Sequence, residues 1–205
     1  MGTGSLTLLD YRRRVAELYA DVRRTAALRG PAAAHELWRT ARDELYATHP
    51  DSPLAADDPR RRTGLPVAPY DPELRWELPV GAAEPHELRV VTGTDGEVVF
   101  HRLGRVTTPL GALDLWWLAG YGGGVWLPVR DGSSGSSTYG GGRYLLDTVK
   151  GADLGGGARG GEDGTVVVDL NFLYNPSCAY DPAWACPLAP PGNRLQAPVE
   201  AGELS

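Results

Sequence analysis

LDLWWLAGYGGGVWLPVR, residues 113 to 130, decides the fold class, because it reads as two strands, LDLWWLA at 113 to 119 and GVWLPVR at 124 to 130, on either side of a glycine-rich break. Aromatic and β-branched residues crowd both pieces, and such side chains suit a pleated, half-buried surface. Working outward, GRYLLDT at 142 to 148 and TVVVDLNFL at 165 to 173 follow, while ELRVV and EVVFHRL precede, flanking a Thr94-Asp95-Gly96 turn. Before these, Leu74, Trp76, Leu78 and Val80 alternate with Arg75, Glu77 and Pro79. Short strands at this spacing predict a meander within a mainly β domain over residues 74–205, either an antiparallel sandwich or a partly open barrel. GADLGGGARGGEDG, 151 to 164, holds seven glycines and little to bury, which predicts a flexible surface loop.

The upstream text has another period. Leu8, Tyr11, Val15, Leu18, Tyr19, Val22 and Ala26 recur at steps of three and four, with Arg12, Arg13, Arg14, Glu17 and Arg24 between them. Gly30 stops this helix and Pro31 suits the first turn of the next, whose stripe is Leu37, Trp38, Ala41 and Leu45. Residues 1–48 therefore read as an N-terminal helical pair. The proline-rich text of residues 49–73 keeps no period and reads as an ordered connector on the domain surface.

A chain of 205 residues suits one domain with a sizeable core. Its 27 glycines and 17 prolines favour turns and short strands over many long helices. The net charge of −6 repels nucleic acid and anionic lipid at long range, and neither is expected as a partner. The first residues carry the spacing of an amphipathic helix rather than a secretory leader, and no window holds the run of about 18 apolar residues that a spanning helix needs. The expectation is a soluble, cytoplasmic protein whose Cys178 and Cys186 are thiols.

Residues with chemistry gather between Asp131 and Glu203. In TYGGGRY, Gly140, Gly141 and Gly142 precede Arg143, so bare amides and a guanidinium are available for a carboxylate or phosphate. The competing reading is a tight glycine turn, with Arg143 ion-paired to Asp131 or Asp147. Asn171, Asn175, Asn193 and Arg194 offer ligand contacts, though asparagines beside a proline-rich excursion equally cap loose backbone groups. Tyr139, Tyr144, Tyr174 and Tyr180 either line a pocket or pack in the core.

Seven residues separate Cys178 from Cys186. This is too long for a two-residue redox motif and gives half the ligands of a structural zinc site. Open readings are a pair of small thiols beside Pro187, a loop-closing disulfide in an oxidising compartment, and a nucleophile at Cys178. His86 and His101 flank a hairpin and read as solvent-facing, while Trp116, Trp117, Trp126 and Trp184 read as packing residues. No metal or cofactor is implied.

HPDSPLAADDPRRRTGL, LPVRDGSSGSSTYGGGRYL, DLNFLYNPSCAYDPAWACPLAPPGNRL and the final AGE resemble, in order, the bacterial domain of unknown function 1684 family. The resemblance runs from about Arg42 onward. Its family-like positions include Asp51 to Leu54, Gly64-Leu65, Asp131, Thr138 to Leu145, Asp169, Asn171, Tyr174 to Cys178, Cys186-Pro187, Asn193 to Leu195 and Gly202-Glu203. Two positions depart from the pattern: Arg62-Thr63 stands before Gly64 in place of an aromatic, and Leu204-Ser205 in place of a basic residue after Glu203. The resemblance implies a compact, mainly β domain and transfers no activity, substrate or cofactor.

Together these readings give a pocket for a small anionic ligand lined by Tyr139, Gly141, Gly142, Arg143, Asn171, Asn175, Asn193 and Arg194, with Glu203 nearby. An enzymatic version adds Glu203 or Asp169 as acid or base and Cys178 as nucleophile. The alternative is a protein-interaction module with no small-molecule site. Nothing in the sequence sets an oligomeric state.

Overall fold

Apolar steps of three and four build α1 (Gly4–Arg29) and α2 (Pro31–Thr48). Gly30 joins them alone, with φ at 90°, a left-handed setting that spares the single-residue corner a side-chain clash. Leu18, Tyr19 and Val22 of α1 and Ala34 and Trp38 of α2 enter the main core. The buried Trp38 indole donates to the Tyr19 hydroxyl at 3.2 Å, so its one polar atom is satisfied. The computed structural model describes residues 4–92, 96–157, 164–184 and 186–205.

Among the described residues seven strands follow: β1 (Arg75–Pro79), β2 (Glu87–Thr92), β3 (Gly96–Thr108), β4 (Gly111–Ala119), β5 (Gly124–Val129), β6 (Arg143–Asp147) and β7 (Thr165–Asp169). Strands β2 to β6 form one antiparallel meander in sequence order, whereas β1 pairs only with β7 in a separate two-stranded sheet. The fold is mainly β with a helical pair, as expected, but both sheets are open and neither closes into a barrel. The Thr94-Asp95-Gly96 turn falls largely on residues 93–95, outside the described residues.

Strand β1 does not join the meander. Its partner β7 offers the complementary apolar face, and the register sets Trp76 opposite Val168 and Leu78 opposite Val166. The two sheets are tied where Gly81 and Arg105 exchange backbone hydrogen bonds of 2.9 Å. That approach needs Gly104, because a Cβ there would stand 2.6 Å from the Gly81 carbonyl. Strand β7 stops at Asp169, short of the expected 173. The Asp169 carboxylate accepts from the Asn171 amide at 3.2 Å and turns residues 170–172 into a 3-10 turn.

The glycine-rich text at 151–164 is less loop-like than its composition suggests. Ala152 and Leu154 are buried in the main core, and Val167 donates to the Gly155 carbonyl at 3.0 Å. Residues 158–163 of that expected loop lie outside the described residues. The connector also has an anchor. Within the short helix α3 (Arg60–Thr63), Arg61 donates to the carbonyls of Ala47, near the end of α2, and of Leu54 and Ala55 in the connector itself.

The last residues are woven into the body. Ala68 donates to the Gly202 carbonyl, Glu203 to Leu173 and Leu204 to Pro66, at 2.9, 2.8 and 2.7 Å. Gly202 has φ at 69°, and a Cβ would lie 2.5 Å from the Leu173 carbonyl. Gly202→Ala is expected to lower the unfolding free energy by about 2–3 kcal/mol, combining left-handed strain with a backbone clash. Gly30→Ala, where a Cβ meets nothing within 4 Å and only the backbone setting (φ 90°, ψ 162°) is strained, should cost less, about 1–2 kcal/mol. Urea denaturation of the two variants beside the parent checks the ordering.

Candidate functional site

Arg143 opens β6 and is fully buried. Its Nη2 donates to Asp131 at 2.9 Å and to the Val199 carbonyl at 2.7 Å, and its Nη1 donates to the carbonyls of Ala201 and Glu203. Asp131 in turn accepts from the backbone of Ser133 and Val199 at 2.8 and 3.0 Å. Burial pushes the Asp131 carboxyl up, but Ser133, Val199 and Arg143 outweigh it and hold the group below the ordinary aspartate value. Of the two readings of Arg143, the structural ion pair with Asp131 is the one the geometry displays. The glycines before it serve the turn: a Cβ on Gly141 would sit 2.5 Å from the Tyr139 ring, and one on Gly142 would sit 2.9 Å from the Val129 carbonyl.

The asparagines are also drawn inward. Asn171 donates to the Asp71 carbonyl and accepts from the Asp71 amide, both at 2.8 Å, pinning the connector to the end of β7. Asn193 donates to the carbonyls of Asp114 and Pro128 and accepts from the Trp116 indole at 2.8 Å. Arg194 beside it is exposed. Trp116 and Trp126 are core residues, whereas Trp117 and Trp184 are exposed, since Trp117 takes the outward position of β4 and Trp184 the loop before Cys186.

A different arginine meets Asn175. Arg42, on the buried face of α2, pairs with Glu203 at 2.6 Å and donates from the same Nη2 to the hydroxyls of Tyr46 and Tyr180. Asn175 closes the cluster, donating from its backbone and its side chain to Glu203 at 3.0 Å each. The Arg42 guanidinium lies over the rings of Tyr46 and Tyr174 at 4.7 and 5.4 Å. Burial opposes its charge, but the attraction of Glu203 together with that of Tyr46, Tyr180 and Tyr19 more than offsets this.

Beside this cluster is a cavity of about 80 Å³ walled by Tyr11, Tyr19, Tyr46 and Tyr174, with Lys150 among its lining residues. Two buried polar atoms of its walls, Arg42 Nη1 and Asn175 Oδ1, have no hydrogen-bond partner among the described residues. A larger cavity of about 210 Å³ lies against the meander, floored by Phe100 and Trp126. Its polar groups are already engaged: Lys150 with Asp147 at 3.3 Å, the Tyr144 hydroxyl with the Pro187 carbonyl, and Arg12 with the Val149 carbonyl. Of these two cavities the smaller is lined by groups that lack partners among the described residues.

The sequence-predicted residues thus separate into distinct neighbourhoods. Asp169 meets Tyr70, Asn171 and Arg75, Glu203 meets Arg42, Asn175 and Tyr180, and Cys178 meets Tyr139. Sequence reading missed Arg42, Tyr46, Tyr11 and Tyr19. A signal was present, because Arg42 stands four residues after Trp38 and four before Tyr46 on the buried face of α2, where a charge needs a reason. Among the described residues no three His, Cys, Asp or Glu side chains gather as a metal set. None of the described helices is long and apolar enough to cross a membrane.

An open antiparallel meander, backed by a helical pair and laced by its last residues, defines the class of domain. Residues 61–204 match the family described as protein of unknown function (DUF1684), and the chain belongs to that family. The helical wall of the tyrosine cavity lies upstream of the matched residues. No curated protein matches the sequence. The chain is similar to an uncharacterized protein of Haloarcula marismortui solved by solution NMR, with TM-score 0.57 and 28% identity, covering 82% of this chain and 90% of that one.

Two outcomes follow from the buried charges. Arg143→Leu is expected to cost about 3–5 kcal/mol in equilibrium unfolding, since it strands the Asp131 carboxylate and three carbonyls. Burial raises the Asp169 carboxyl to about 6, against the lowering effects of Asn171, Arg75 and Tyr70. A carboxyl raised on folding adds stability that is fully present below its unfolded value near 4 and is lost as pH rises through about 6. Asp169→Asn should therefore gain on the parent by roughly 3 kcal/mol between about pH 4 and pH 7 in paired urea titrations.

Proposed function

We propose that this protein binds a small carboxylate-bearing molecule in the tyrosine-walled cavity between the helical pair and the β body. The observation that supports this is the unpartnered Nη1 of Arg42, a guanidinium only 5% exposed whose Nη2 is already taken by Glu203, Tyr46 and Tyr180. A buried donor without an acceptor costs about 1–3 kcal/mol, and a ligand oxygen placed there recovers it as a charge-assisted hydrogen bond. Asn175 Oδ1 is a matching acceptor, because its amide nitrogen is fixed by Glu203 and the Leu204 carbonyl.

One donor and one acceptor without partners select a ligand that offers the reverse, such as a small hydroxy acid or amino acid. The cavity's 80 Å³ corresponds to roughly two or three waters or to an acid of that size. Tyrosine rings supply its apolar walls, and Lys150, which lines it but is already paired with Asp147 at 3.3 Å, leaves Arg42 as the anion's partner. Glu203 is consumed by Arg42, Asn175 and Tyr180, so the reading concerns binding rather than turnover.

Calorimetric titration with glycolate, lactate, glycine and alanine, against neutral lactamide, tests the reading. At least one acid should bind, with lactamide weaker by roughly tenfold, the worth of one charge-assisted hydrogen bond. Arg42→Lys, which keeps the charge and loses the second nitrogen, should abolish the difference. Lys150→Glu, at a half-exposed side chain, should weaken the acid and spare the fold even if Arg42→Lys unfolds. No heat from any acid, with Lys150→Glu indistinguishable from the parent, would mean that the cavity holds only water.

A further inference from the structure

One face of the meander is apolar and only partly covered. The register sets Leu88 opposite Phe100 and Val90 opposite Val98, then Phe100 opposite Leu118 and Trp116 opposite Trp126, so these side chains share one side of the sheet. The intervening residues carry charge to the other side, where Arg89 pairs with Glu87 and Glu97. Phe100, Trp116, Trp126 and Tyr144 are buried, whereas Leu88, Val90, Val98 and Leu118 are only partly so. Alternation of this kind marks a face that favours cover over water.

The cavity of about 210 Å³ lies against this face, with Val98, Phe100, Leu118 and Trp126 in its lining. The Phe100 and Trp126 ring centroids are 4.6 Å apart, and Tyr144 meets the Trp126 ring edge-on at 5.5 Å. Gly124 lets Val149 close one side, since a Cβ there would run into Val149 Cγ2. With the Tyr144 hydroxyl and Lys150 already engaged, most of the lining offers a ligand surface contact rather than hydrogen bonds. Arg12, on α1, is the exception. Its Nη1 reaches the Val149 carbonyl at 3.3 Å, yet the guanidinium forms no ion pair among the described residues.

We propose that this cavity is a second binding site, separate from the Arg42 site, for an aromatic carboxylate whose ring rests on Phe100 and Trp126 and whose acid group meets Arg12. A dry cavity of about 150 Å³ holds benzene. The 210 Å³ here therefore takes one ring with a short chain, whereas the 80 Å³ beside Arg42 does not. Aromatic walls favour an aromatic guest over a saturated one, because ring edges and faces attract beyond the area they bury. The unpaired charge of Arg12 selects an acid over the matching amide through a charge-assisted hydrogen bond.

Calorimetric titration of the full chain with phenylacetate, phenylacetamide and cyclohexylacetate tests the assignment. Phenylacetate should bind, and each of the other two should bind a few-fold more weakly. Val98→Trp, at a partly buried lining position, should fill the space and weaken phenylacetate by roughly tenfold or more. Whatever response to lactate the parent gives should persist in that variant, which separates this site from the one at Arg42. Arg12→Gln should bring phenylacetate down to the level of phenylacetamide and leave the amide unchanged, whereas an Arg12 that merely supports the Val149 carbonyl would weaken both alike. That comparison stands even if Val98→Trp unfolds. Absent binding of phenylacetate, equal binding of its amide or its saturated analogue, or undiminished binding in a folded Val98→Trp would overturn the assignment.

Discussion

Everything near the cavity depends on the grip of Arg143. One guanidinium takes the Asp131 carboxylate and the carbonyls of Val199, Ala201 and Glu203, converting an irregular final segment into a fixed edge of the β body. The segment has no helix or strand ladder of its own to satisfy those oxygens, so a buried multidentate donor does so. With its backbone held, Glu203 extends its carboxylate to Arg42 on α2 and links the helical pair to the sheets.

The two buried arginines show how similar chemistry serves different ends. Arg143 spends both terminal nitrogens on carbonyl and carboxylate oxygens, and its buried Nε, without a partner among the described residues, lines neither of the cavities described above. Arg42 spends one on Glu203 and two tyrosine hydroxyls and keeps the other free beside a cavity. Satisfied networks stiffen a fold, whereas an incomplete one carries a free-energy debt that a ligand can relieve. The carbonyl of Asn175, likewise left over, gives that debt a direction by adding an acceptor beside the donor.

Much of the architecture was legible because it follows from period. The three-and-four spacing from Leu8 to Ala26 makes a helix whatever it packs on, and the alternation from Leu74 to Val80 makes a strand. What alternation does not encode is the partner, which is why β1 reads as meander and pairs instead with β7. The site was harder. TYGGGRY advertises flexibility and charge, yet its glycines make room for Tyr139 and its arginine is buried in the tail. Arg42 sits in an ordinary-looking helix, and its meaning appears only once Glu203, distant in sequence, is beside it.

That long reach would link the proposed ligand recognition to the order of folding. The helices can pair across a single glycine, and the meander's strands are neighbours in sequence, so both parts rely on local contacts that form early. The Arg42–Glu203 contact closes a loop that contains every strand from β1 to β7, and non-local contacts of this kind come late. A chain arrested before that step has helices and sheets but no assembled Arg42–Asn175–Glu203 cluster. Occupancy of the cavity would thus draw the equilibrium toward finished molecules alone, making the ligand a selective stabiliser of completed chains.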